Sequence, residues 1–473
     1  MTAQPLVIGD RRLKGAGTIT VLEPAKGKPM AEVASAGPDE LDQAVASAKK
    51  AFPEWSGRTA VSRADVLFRF SDLVRAHAEE LALLEARNVG KPIGDARWEA
   101  NHVADTLRYY AGAADKFFGE TINVAKTGLD LTLRQPLGVV GLIVPWNFPM
   151  VIATWKLGPA LASGNTVVLK PASLTPLSAI RLGELGLEAG LPPGVLNVVP
   201  GPGARIGQQM AGHPDIAKIA FTGETETGRR IMATAAETIK RVSLELGGKS
   251  PNIIFADVDL ETAAKHACAS VFANAGQDCC ARARVIVEKK AYPALVEAMA
   301  AVAKAMRVGD PLDEQTEMGP LVSASQRERT ESYVALGRQE GARYVCGGER
   351  LSGDGFFLRP TIFADAKPGM RIVDEEIFGP MVVVIPFETE AEAITIANDT
   401  IYGLSGSLWT NDLKRGLRVA KAVQTGVISV NSSSSVHLQA PFGGFKQSGL
   451  GRELGMHALE HYTELKNIYF ETS

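Results

Sequence analysis

Val139-Val140-Gly141-Leu142-Ile143-Val144, followed at once by Pro145-Trp146-Asn147-Phe148-Pro149, is the stretch that decides the fold. The apolar run before the proline is far too short to span a membrane, and its β-branched residues predict a buried strand. Similar strands alternate with helical segments further along: strands at 166–170, 195–199 and 216–221, and helices at 149–163, 175–190 and 203–212. This alternation predicts parallel βαβ units.

The same alternation starts again near residue 250. Strands are predicted around Ile253, at 284–287 and at 382–386, so we expect a second α/β domain after the first. Before the first domain's strands, apolar residues at three-to-four spacing predict helices at 39–51, 59–88 and 95–118.

A small β element is predicted beside these two domains. Residues 121–135 alternate with period two behind a turn and predict a hairpin, and 464–470 predict a final strand that could pair with it. An isolated hairpin is barely stable in water, so we expect it to pack against another surface or subunit. The predicted fold class is therefore α/β, with two α/β domains in series and a small β element.

Composition excludes several classes of function. The 473 residues include 50 basic and 53 acidic ones without long runs of one sign, which gives no electrostatic case for binding nucleic acid or an acidic membrane. Residues 1–10 lack the pattern of a signal peptide. Four cysteines do not form a disulfide framework, and no CxxC or paired histidines predict a metal site. We therefore expect a cytoplasmic protein without a metal.

A dinucleotide site is one candidate function. Gly201-Pro202-Gly203 begins like G-x-G-x-x-G, but Gly207 comes one residue too late, so the fingerprint fails. Phe221-Thr222-Gly223 ends a strand and opens a helix, where amides could bind a pyrophosphate; a plain strand-to-helix turn is the alternative. Lys170 ends another strand and could bond a ribose or a phosphate, or it could simply be solvated.

Three polar side chains could support catalysis or binding. Asn147 lies between two prolines, so it is either a rigid donor suited to an oxyanion or a structural turn residue. Glu245 is flanked by leucines, which should raise its pKa and suit a general base; an ion pair with Lys249 is the alternative. Glu376 could bond a ribose while Phe378 packs on a flat ring, or it could be an acidic helix start.

Cys279 is the candidate nucleophile. It follows a glycine-containing turn and precedes Cys280, in a chain with only four cysteines. A free cysteine often behaves as a small apolar residue, which is how we interpret Cys280 and Cys268, while Cys346 is expected in a loop. From its own segment, Cys279 could equally be a working thiolate or a buried thiol.

Taken together, seven segments resemble the aldehyde dehydrogenase superfamily, from about residue 18 to the carboxyl terminus. They occur in the family's order: Pro145-Trp146-Asn147-Phe148-Pro149, Lys170-Pro171-Ala172, Phe221-Thr222-Gly223, Leu244-Glu245-Leu246-Gly247-Gly248-Lys249, Gly276-Gln277-Asp278-Cys279, Glu375-Glu376-Ile377-Phe378-Gly379-Pro380 and Pro441-Phe442-Gly443-Gly444-Phe445-Lys446. The resemblance implies NAD(P)-dependent oxidation of an aldehyde to an acid. Cys279 would form a thiohemiacetal and then a thioester, Asn147 and the backbone N–H of Cys279 would bind the oxyanion, and Glu245 would activate the hydrolytic water.

The resemblance also implies a cofactor site on a Rossmann-like domain that lacks the usual glycine fingerprint. The cofactor would be NAD, contacted by Ile143, Pro145, Trp146, Lys170, Ser173, Gly203, Phe221, Thr222, Gly223, Leu246, Glu376 and Phe378. Many NAD-preferring members have glutamate at the position of Ser173, where it repels a 2′-phosphate, so we expect NADP to be accepted as well. Glu224 replaces a commoner serine and is left out of the binding set.

By family position the substrate tunnel comprises His102, Phe148, Trp155, Asp278, His437 and Phe442. Asp278 could pair with an ω-ammonium and the aromatic rings could offer cation–π faces, which favours an ω-aminoaldehyde or betaine aldehyde. Against this, plant-type aminoaldehyde enzymes have acidic residues at the positions of Asn101 and His102, and Asp278 could instead bond backbone amides.

The resemblance further implies domain limits and an oligomer. Residues 1–117 and 137–246 would bind the cofactor, 247–445 would carry the nucleophile, and 118–136 with 446–473 would form an oligomerisation element of a homodimer or homotetramer. The alternatives are a general aliphatic or semialdehyde dehydrogenase, a CoA-acylating aldehyde dehydrogenase, and a non-catalytic nucleotide-binding member. Glu245 argues against the CoA-acylating type, whose members generally lack it.

Overall fold

The computed structural model describes residues 3–434 and 436–472, which form four β-sheets and the helices packed around them. The strands are β1 (Leu6–Ile8), β2 (Arg11–Leu13), β3 (Gly17–Glu23), β4 (Lys28–Ser35), β5 (Thr121–Ile122), β6 (Gly128–Pro136), β7 (Val139–Ile143), β8 (Thr166–Lys170), β9 (Leu196–Val198), β10 (Lys218–Thr222), β11 (Arg241–Glu245), β12 (Pro251–Ile254), β13 (Arg284–Glu288), β14 (Arg343–Cys346), β15 (Thr361–Ala364), β16 (Met381–Phe387), β17 (Ser405–Trp409), β18 (Val427–Val430), β19 (Gly449–Leu450) and β20 (Thr463–Glu471).

The α-helices lie between these strands and at the amino-terminal end. They are α1 (Pro38–Gly57), α2 (Ala60–Ala76), α3 (Ala78–Val89), α4 (Ile93–Ala113), α5 (Pro149–Ala162), α6 (Leu177–Glu188), α7 (Gln208–Gly212), α8 (Thr225–Ala236), α9 (Leu260–Phe272), α10 (Tyr292–Ala305), α11 (Ala324–Gln339), α12 (Arg371–Asp374), α13 (Glu390–Asn398), α14 (Leu413–Ala422) and α15 (His457–Glu460). A π-helical turn, Gly203–Gly207, leads into α7.

The first sheet has eight strands in the order β19-β11-β10-β7-β8-β9-β1-β2, and the run from β11 to β9 is parallel. Every residue of β7 and β8 is buried, as expected for strands covered by helices on both faces. The chain moves outward from β7 in one direction to β9 and in the other direction to β11. The gap between β7 and β10 is therefore a topological switch point, where open α/β sheets bind their ligands.

The second sheet has seven strands in the order β14-β15-β16-β13-β12-β17-β18, all parallel except β14. It has its own cores on its two faces, formed by α9 and α10 on one side and α11 and α13 on the other. Cys346 ends β14 and is buried, so the expectation that it lies in a loop was wrong.

The predicted hairpin is confirmed, because Thr121 pairs with Leu131 in antiparallel register. The terminal strand β20 pairs with β6 along its whole length, which confirms the predicted partnership. This three-stranded sheet exposes apolar side chains, among them Leu129, Leu465 and Phe470. The domain limits and the homodimer or homotetramer remain predictions.

Sequence patterns placed the inner strands of the first sheet and the helices α1 to α7, but gave no bounds for β14, β15, β17, β18 or the helices α9 to α14 around the second sheet. The helix predicted at 59–88 is two helices, because the chain leaves helical geometry at His77 with φ −102° and ψ 17°. The amino-terminal strands β1 to β4 were not predicted, since they are short or carry no clear alternation. Within the described residues, no helix combines the length and apolar character needed to cross a bilayer.

Candidate active site

A cavity of about 270 Å³ lies where the two large sheets meet. Its walls come from the carboxyl ends of β7, β10 and β11 and from the segments that precede β12, β13 and β16. The lining residues are Pro145, Trp146, Asn147, Phe148, Ile152, Thr222, Gly223, Glu224, Leu246, Gly247, Cys279, Gln326, Arg329, Glu376 and Phe378. Ten of these were predicted from the sequence, and they come from five separate stretches of the chain.

Asn147 lies in the turn between β7 and α5, next to the topological switch point. Pro149 begins α5, so the turn is fixed immediately before the helix. Asn147 is 3% exposed, and its Nδ2 donates to the backbone oxygen of Gln277 over 2.9 Å. A side-chain amide has two N–H groups, so one of them is held by the chain around Cys279 and the other is available to a bound group.

The turn that carries Cys279 is conformationally strained. Asn274, Ala275 and Gly276 all have left-handed backbones, with φ of 48°, 54° and 70°. A Cβ on Gly276 would lie 2.1 Å from the backbone oxygen of Gly379, so only glycine fits there. A left-handed conformation at a non-glycine residue costs about 1–3 kcal/mol and is characteristic of functional sites.

Cys279 is part-buried at the cavity wall, and Cys280 is buried behind it. A hydrogen bond with the Cys280 thiol, together with burial, raises the pKa of Cys279 well above its usual range, so the resting group is a neutral thiol. Asp278 accepts a hydrogen bond from the Cys280 N–H over 2.8 Å. The ligand atoms of Asp278, Cys279 and Cys280 lie within 4.8 Å of one another, a cluster that a search for CxxC spacing does not detect.

Glu245 ends β11 and is 5% exposed. Burial, reinforced by the nearby carboxylate of Glu453, raises the pKa of Glu245 well above its usual range, which confirms the expected direction. Lys249 donates instead to the backbone oxygen of Glu375 over 2.6 Å, so the alternative ion pair between Glu245 and Lys249 is wrong. Glu453 itself forms an ion pair with the buried Lys156.

Glu376 and Phe378 lie opposite the switch point, in the segment before β16. The Oε1 of Glu376 accepts from the Gly248 N–H over 3.0 Å, and burial raises the pKa of this carboxyl to about 7. A Cβ on Gly247 would lie 2.2 Å from Glu376 Oε2, so this glycine makes room for the carboxylate. Phe378 packs edge-on against Trp146, with ring centroids 5.2 Å apart.

A second group of predicted cofactor residues lies around the carboxyl end of β8, an inner strand of the first sheet. Lys170 is 3% exposed and donates to the Pro171 carbonyl over 3.0 Å, so it is not a solvated lysine. Burial lowers its pKa to about 8. Gly203 lies beside it, because a Cβ there would be 4.0 Å from Lys170 Nζ, and Ser173 donates to the Gly201 carbonyl over 3.0 Å.

The remaining predicted cofactor residues lie close to these two groups. Ile143 lies near Gly207, whose Cβ would be 3.8 Å from its side chain. Phe221 packs under Gly223, where a Cβ would lie 2.5 Å from the ring. The Oγ1 of Thr222, the last residue of β10, is buried without a hydrogen-bond partner among the described residues. An unpaired buried hydroxyl on a residue of the cavity wall fits a site for an oxygen-rich ligand such as a dinucleotide.

Of the six predicted tunnel residues only Phe148 lines the described cavity, while His102, Trp155 and Phe442 pack against one another outside its lining. Trp155 Nε1 donates to His102 Nε2 over 3.2 Å and packs edge-on against Phe442, with ring centroids 5.2 Å apart. Burial lowers the pKa of His102, so this imidazole is neutral. Phe148 lines the cavity, but one face of its ring already carries the Lys91 ammonium 4.4 Å from the centroid.

Asp278 adjoins the nucleophile, whereas His437 is exposed and does not line the described cavity. Five lining residues were missed from the sequence: Ile152, Glu224, Gly247, Gln326 and Arg329. Gln326 donates to the Phe378 carbonyl over 2.7 Å, and Arg329 donates to the Glu376 carbonyl over 2.9 Å. Both lie on the polar helix α11 and were missed because the sequence predictions looked for ligand-binding residues at the ends of strands.

The sequence matches the aldehyde dehydrogenase family over residues 12–468. A betaine aldehyde dehydrogenase of Cereibacter sphaeroides is 44% identical over 477 residues, which cover 99% of this chain and 98% of the relative. The NAD⁺ complex of an aldehyde dehydrogenase from Bacillus cereus aligns with a TM-score of 0.98 at 44% identity, covering 99% of this chain and 96% of that one.

A betaine aldehyde dehydrogenase from Staphylococcus aureus in complex with NAD⁺ aligns with a TM-score of 0.98 at 38% identity, covering 99% of this chain and 95% of that one. These matches span both large sheets and the small β element. They confirm the predicted fold class and the predicted family. The chain belongs to the aldehyde dehydrogenase family, whose members are oxidoreductases that act on aldehydes.

Proposed function

We propose that this protein oxidises an aldehyde to a carboxylic acid with NAD⁺, using Cys279 as the nucleophile. The observation that carries the proposal is the meeting of a thiol and a fixed amide donor in the wall of one cavity, with the buried Glu245 carboxyl one residue before the cavity-lining Leu246. NAD⁺ is the cofactor named in the related Bacillus cereus and Staphylococcus aureus structures. The unpaired Thr222 hydroxyl and the buried Lys170, which end β10 and β8, support binding of a dinucleotide at the carboxyl ends of the first sheet's strands.

The first step is addition of the Cys279 sulfur to the aldehyde carbon. The thiol proton passes to solvent water as this bond forms, because burial keeps the resting thiol neutral. The carbonyl oxygen becomes an oxyanion, and the free N–H of the Asn147 amide stabilises it. Such fixed donors act most strongly on charge that develops during the reaction.

Bound nicotinamide would supply the hydride acceptor, which leaves a thioester on Cys279. Trp146, Glu376 and Phe378 would hold the ribose and ring at the cavity. Glu245 then takes a proton from water, and the resulting hydroxide adds to the thioester carbon. Collapse of that adduct releases the carboxylic acid and the Cys279 thiolate. A carboxyl with a raised pKa suits this role near neutral pH.

An aldehyde panel tests the proposal directly. Purified protein is mixed with NAD⁺ and propanal, benzaldehyde, succinic semialdehyde, betaine aldehyde or 4-aminobutanal, and NADH absorbance is followed. We expect turnover with at least one aldehyde and none for Cys279→Ala. A wild-type protein that turns over none of them while still binding NADH would instead support a non-catalytic nucleotide-binding protein.

For the substrate we propose an ω-aminoaldehyde or betaine aldehyde. The names of the Cereibacter sphaeroides and Staphylococcus aureus relatives support a cationic aldehyde. The Asp278 carboxylate beside the nucleophile supports it too, as does Trp155, whose neighbour His102 is uncharged. Because Lys91 lies on the Phe148 ring, Trp155 is the better cation–π partner for the substrate.

Asp278→Ala distinguishes a substrate-binding role from a structural one. We expect kcat/KM to fall at least about tenfold for 4-aminobutanal, since an ion-pair partner is lost, and to change little for butanal. Equal losses on the two aldehydes would show that Asp278 serves only to bond the Cys280 amide.

A further inference from the structure

Lys91 is a buried lysine in the short connection between α3 and α4, directly beneath the Asn147 turn. It is 1% exposed, yet its ammonium has three acceptors at hydrogen-bond distance. Nζ lies 2.6 Å and 2.7 Å from the two carboxylate oxygens of Glu99 and 3.0 Å from the backbone oxygen of Asn147. An ammonium has three N–H groups, so all of them have a partner.

The surrounding carboxyl groups keep this ammonium in place. Glu85 lies 3.9 Å from Nζ and, like Glu99, is buried. Burial raises the pKa of both carboxyl groups, that of Glu99 to about 8. The cluster thus contains two buried carboxyl groups and one lysine. The ammonium lies at its centre, since both glutamates are within 4 Å of Nζ.

The Asn147 carbonyl connects this cluster to the nucleophile turn. The same oxygen accepts from Asn274 Nδ2 over 3.1 Å, while the Asn147 side chain donates to the Gln277 carbonyl. Asn147 is therefore fixed at its backbone from both sides, by Lys91 and by the strained turn before Cys279. Rotation of its peptide unit would move the amide donor, because the side chain is only two bonds from the main chain.

We propose that Lys91 is a positioning residue for the oxyanion: its charged hydrogen bond to the Asn147 carbonyl sets the orientation of the Asn147 amide during attack on the aldehyde. This role rests on the proposed function. A charged donor suits it, because charge-assisted hydrogen bonds are shorter and about twice as strong as neutral ones. The ammonium also packs on the neighbouring Phe148 ring, which limits movement of the same turn.

A double-mutant cycle between Lys91→Met and Asn147→Ala tests the role. We expect Lys91→Met to lower kcat/KM for the best aldehyde about 10- to 100-fold, since loss of a whole oxyanion donor costs about 10²–10³. NADH affinity, measured by fluorescence titration, should stay within about twofold of wild type. In the Asn147→Ala background, Lys91→Met should cost less than about threefold, because no donor remains to be positioned.

Two controls separate positioning from folding. Glu99→Gln keeps Lys91 but weakens the contact that holds its ammonium. It should lower kcat/KM less than Lys91→Met does, and the loss should again shrink in the Asn147→Ala background. This variant keeps the test usable if Lys91→Met does not fold. Lys218→Met removes another buried lysine of the first sheet, whose Nζ donates to Ser243 Oγ and lies over the Tyr462 ring, and should leave kcat/KM within about threefold of wild type.

Equal losses from Lys91→Met and Glu99→Gln with and without Asn147 would overturn the inference, as would wild-type rates in both variants. A wild-type protein without aldehyde turnover would refute the proposed function instead.

Discussion

The two large sheets contribute to one site through opposite ends of their strands. The first sheet presents carboxyl ends, with Asn147, Thr222 and Glu245 at or just after β7, β10 and β11. The second presents amino ends, with Cys279 before β13 and Phe378 before β16. The rule that ligands bind at the carboxyl ends of parallel strands therefore applies to only half of this cavity.

Both sides contribute to the reaction, but only the first also extends away from it. The carboxyl-end side holds the fixed amide, on the turn after β7, and the buried carboxylate, at the end of β11. The amino-end side holds the thiol on a strained turn and the half-buried Glu376. Residues of the first sheet extend from the reacting centre to Lys170 and Ser173, whereas those of the second cluster at the reacting centre. Substitutions at the reacting centre should therefore lower kcat from either side, whereas those at Lys170 or Ser173 should change only the use of the cofactor.

The largest effect is expected on the amino-end side. Cys279→Ala should lower kcat by about 10⁴-fold or more, because covalent catalysis is lost, while NADH affinity remains. Steady-state rates and a fluorescence titration of NADH measure the two quantities. Substantial residual turnover would mean that another group attacks the aldehyde, and Cys280→Ala is the matched control, with at least a tenth of wild-type kcat expected.

On the carboxyl-end side, Glu245→Gln should lower kcat about 10²–10³-fold, as expected for loss of a general base. Thioester formation should survive, so rapid mixing should still show a burst of about one NADH per site. In the wild type, kcat should fall as pH is lowered, because protonated Glu245 cannot accept a proton, and its raised pKa places this loss above the usual carboxylate range. A variant that lacks the burst would place Glu245 in the first step as well.

Cofactor use in the wild type and in a Ser173 variant tests the part of the first sheet that lies away from the reacting centre. We expect the wild type to use NADP⁺ with a kcat/KM within about a hundredfold of that for NAD⁺, because no carboxylate opposes a 2′-phosphate at this position. Ser173→Glu should lower the NADP⁺ value a further ten- to hundredfold and leave NAD⁺ nearly unchanged. Wild-type NADP⁺ activity lower than that with NAD⁺ by three orders of magnitude would contradict the expectation.

The smallest effect concerns Glu376, whose pKa is about 7. As pH rises through 7 the carboxyl ionises and becomes a better acceptor for ribose hydroxyls, so KM for NAD⁺ should fall several-fold between about pH 6 and pH 8. In Glu376→Gln this change should disappear while kcat remains within about threefold. An unaltered pH profile in the variant would assign the effect to another group.

Sequence patterns located the first-sheet side of the site more directly than the second. Strands β7, β8 and β10 are short, apolar and fully buried, so their ends could be read and Asn147, Lys170 and Thr222 found there. Cys279 alone was ambiguous, and only its family motif made it the predicted nucleophile. Burial of Lys170 could not be known before the sheets were assembled, whereas the leucines beside Glu245 had already indicated its raised pKa.

Other features depended on contacts that no local pattern encodes. Gln326 and Arg329 lie on a polar helix and reach the cavity by bonding the backbone of the segment before β16. The break at His77 has no proline or glycine, so the periodic pattern ran through it. For Asp278 the alternative that it bonds a backbone amide is confirmed by its contact with the Cys280 N–H, while its role as a cation partner stays a prediction.

The left-handed turn at Asn274–Gly276 has a consequence for how the chain folds during its synthesis. Asn274 and Gln277 are bonded to Asn147, which lies 127 and 130 residues earlier, so the turn is held by contacts between the two sheets. A chain emerging from the ribosome has no such partner until the second sheet has docked on the first. The Asn147 amide and the Cys279 thiol therefore reach their relative positions only in the folded molecule. The partly synthesised chain does not yet have an assembled site that reacts with aldehydes.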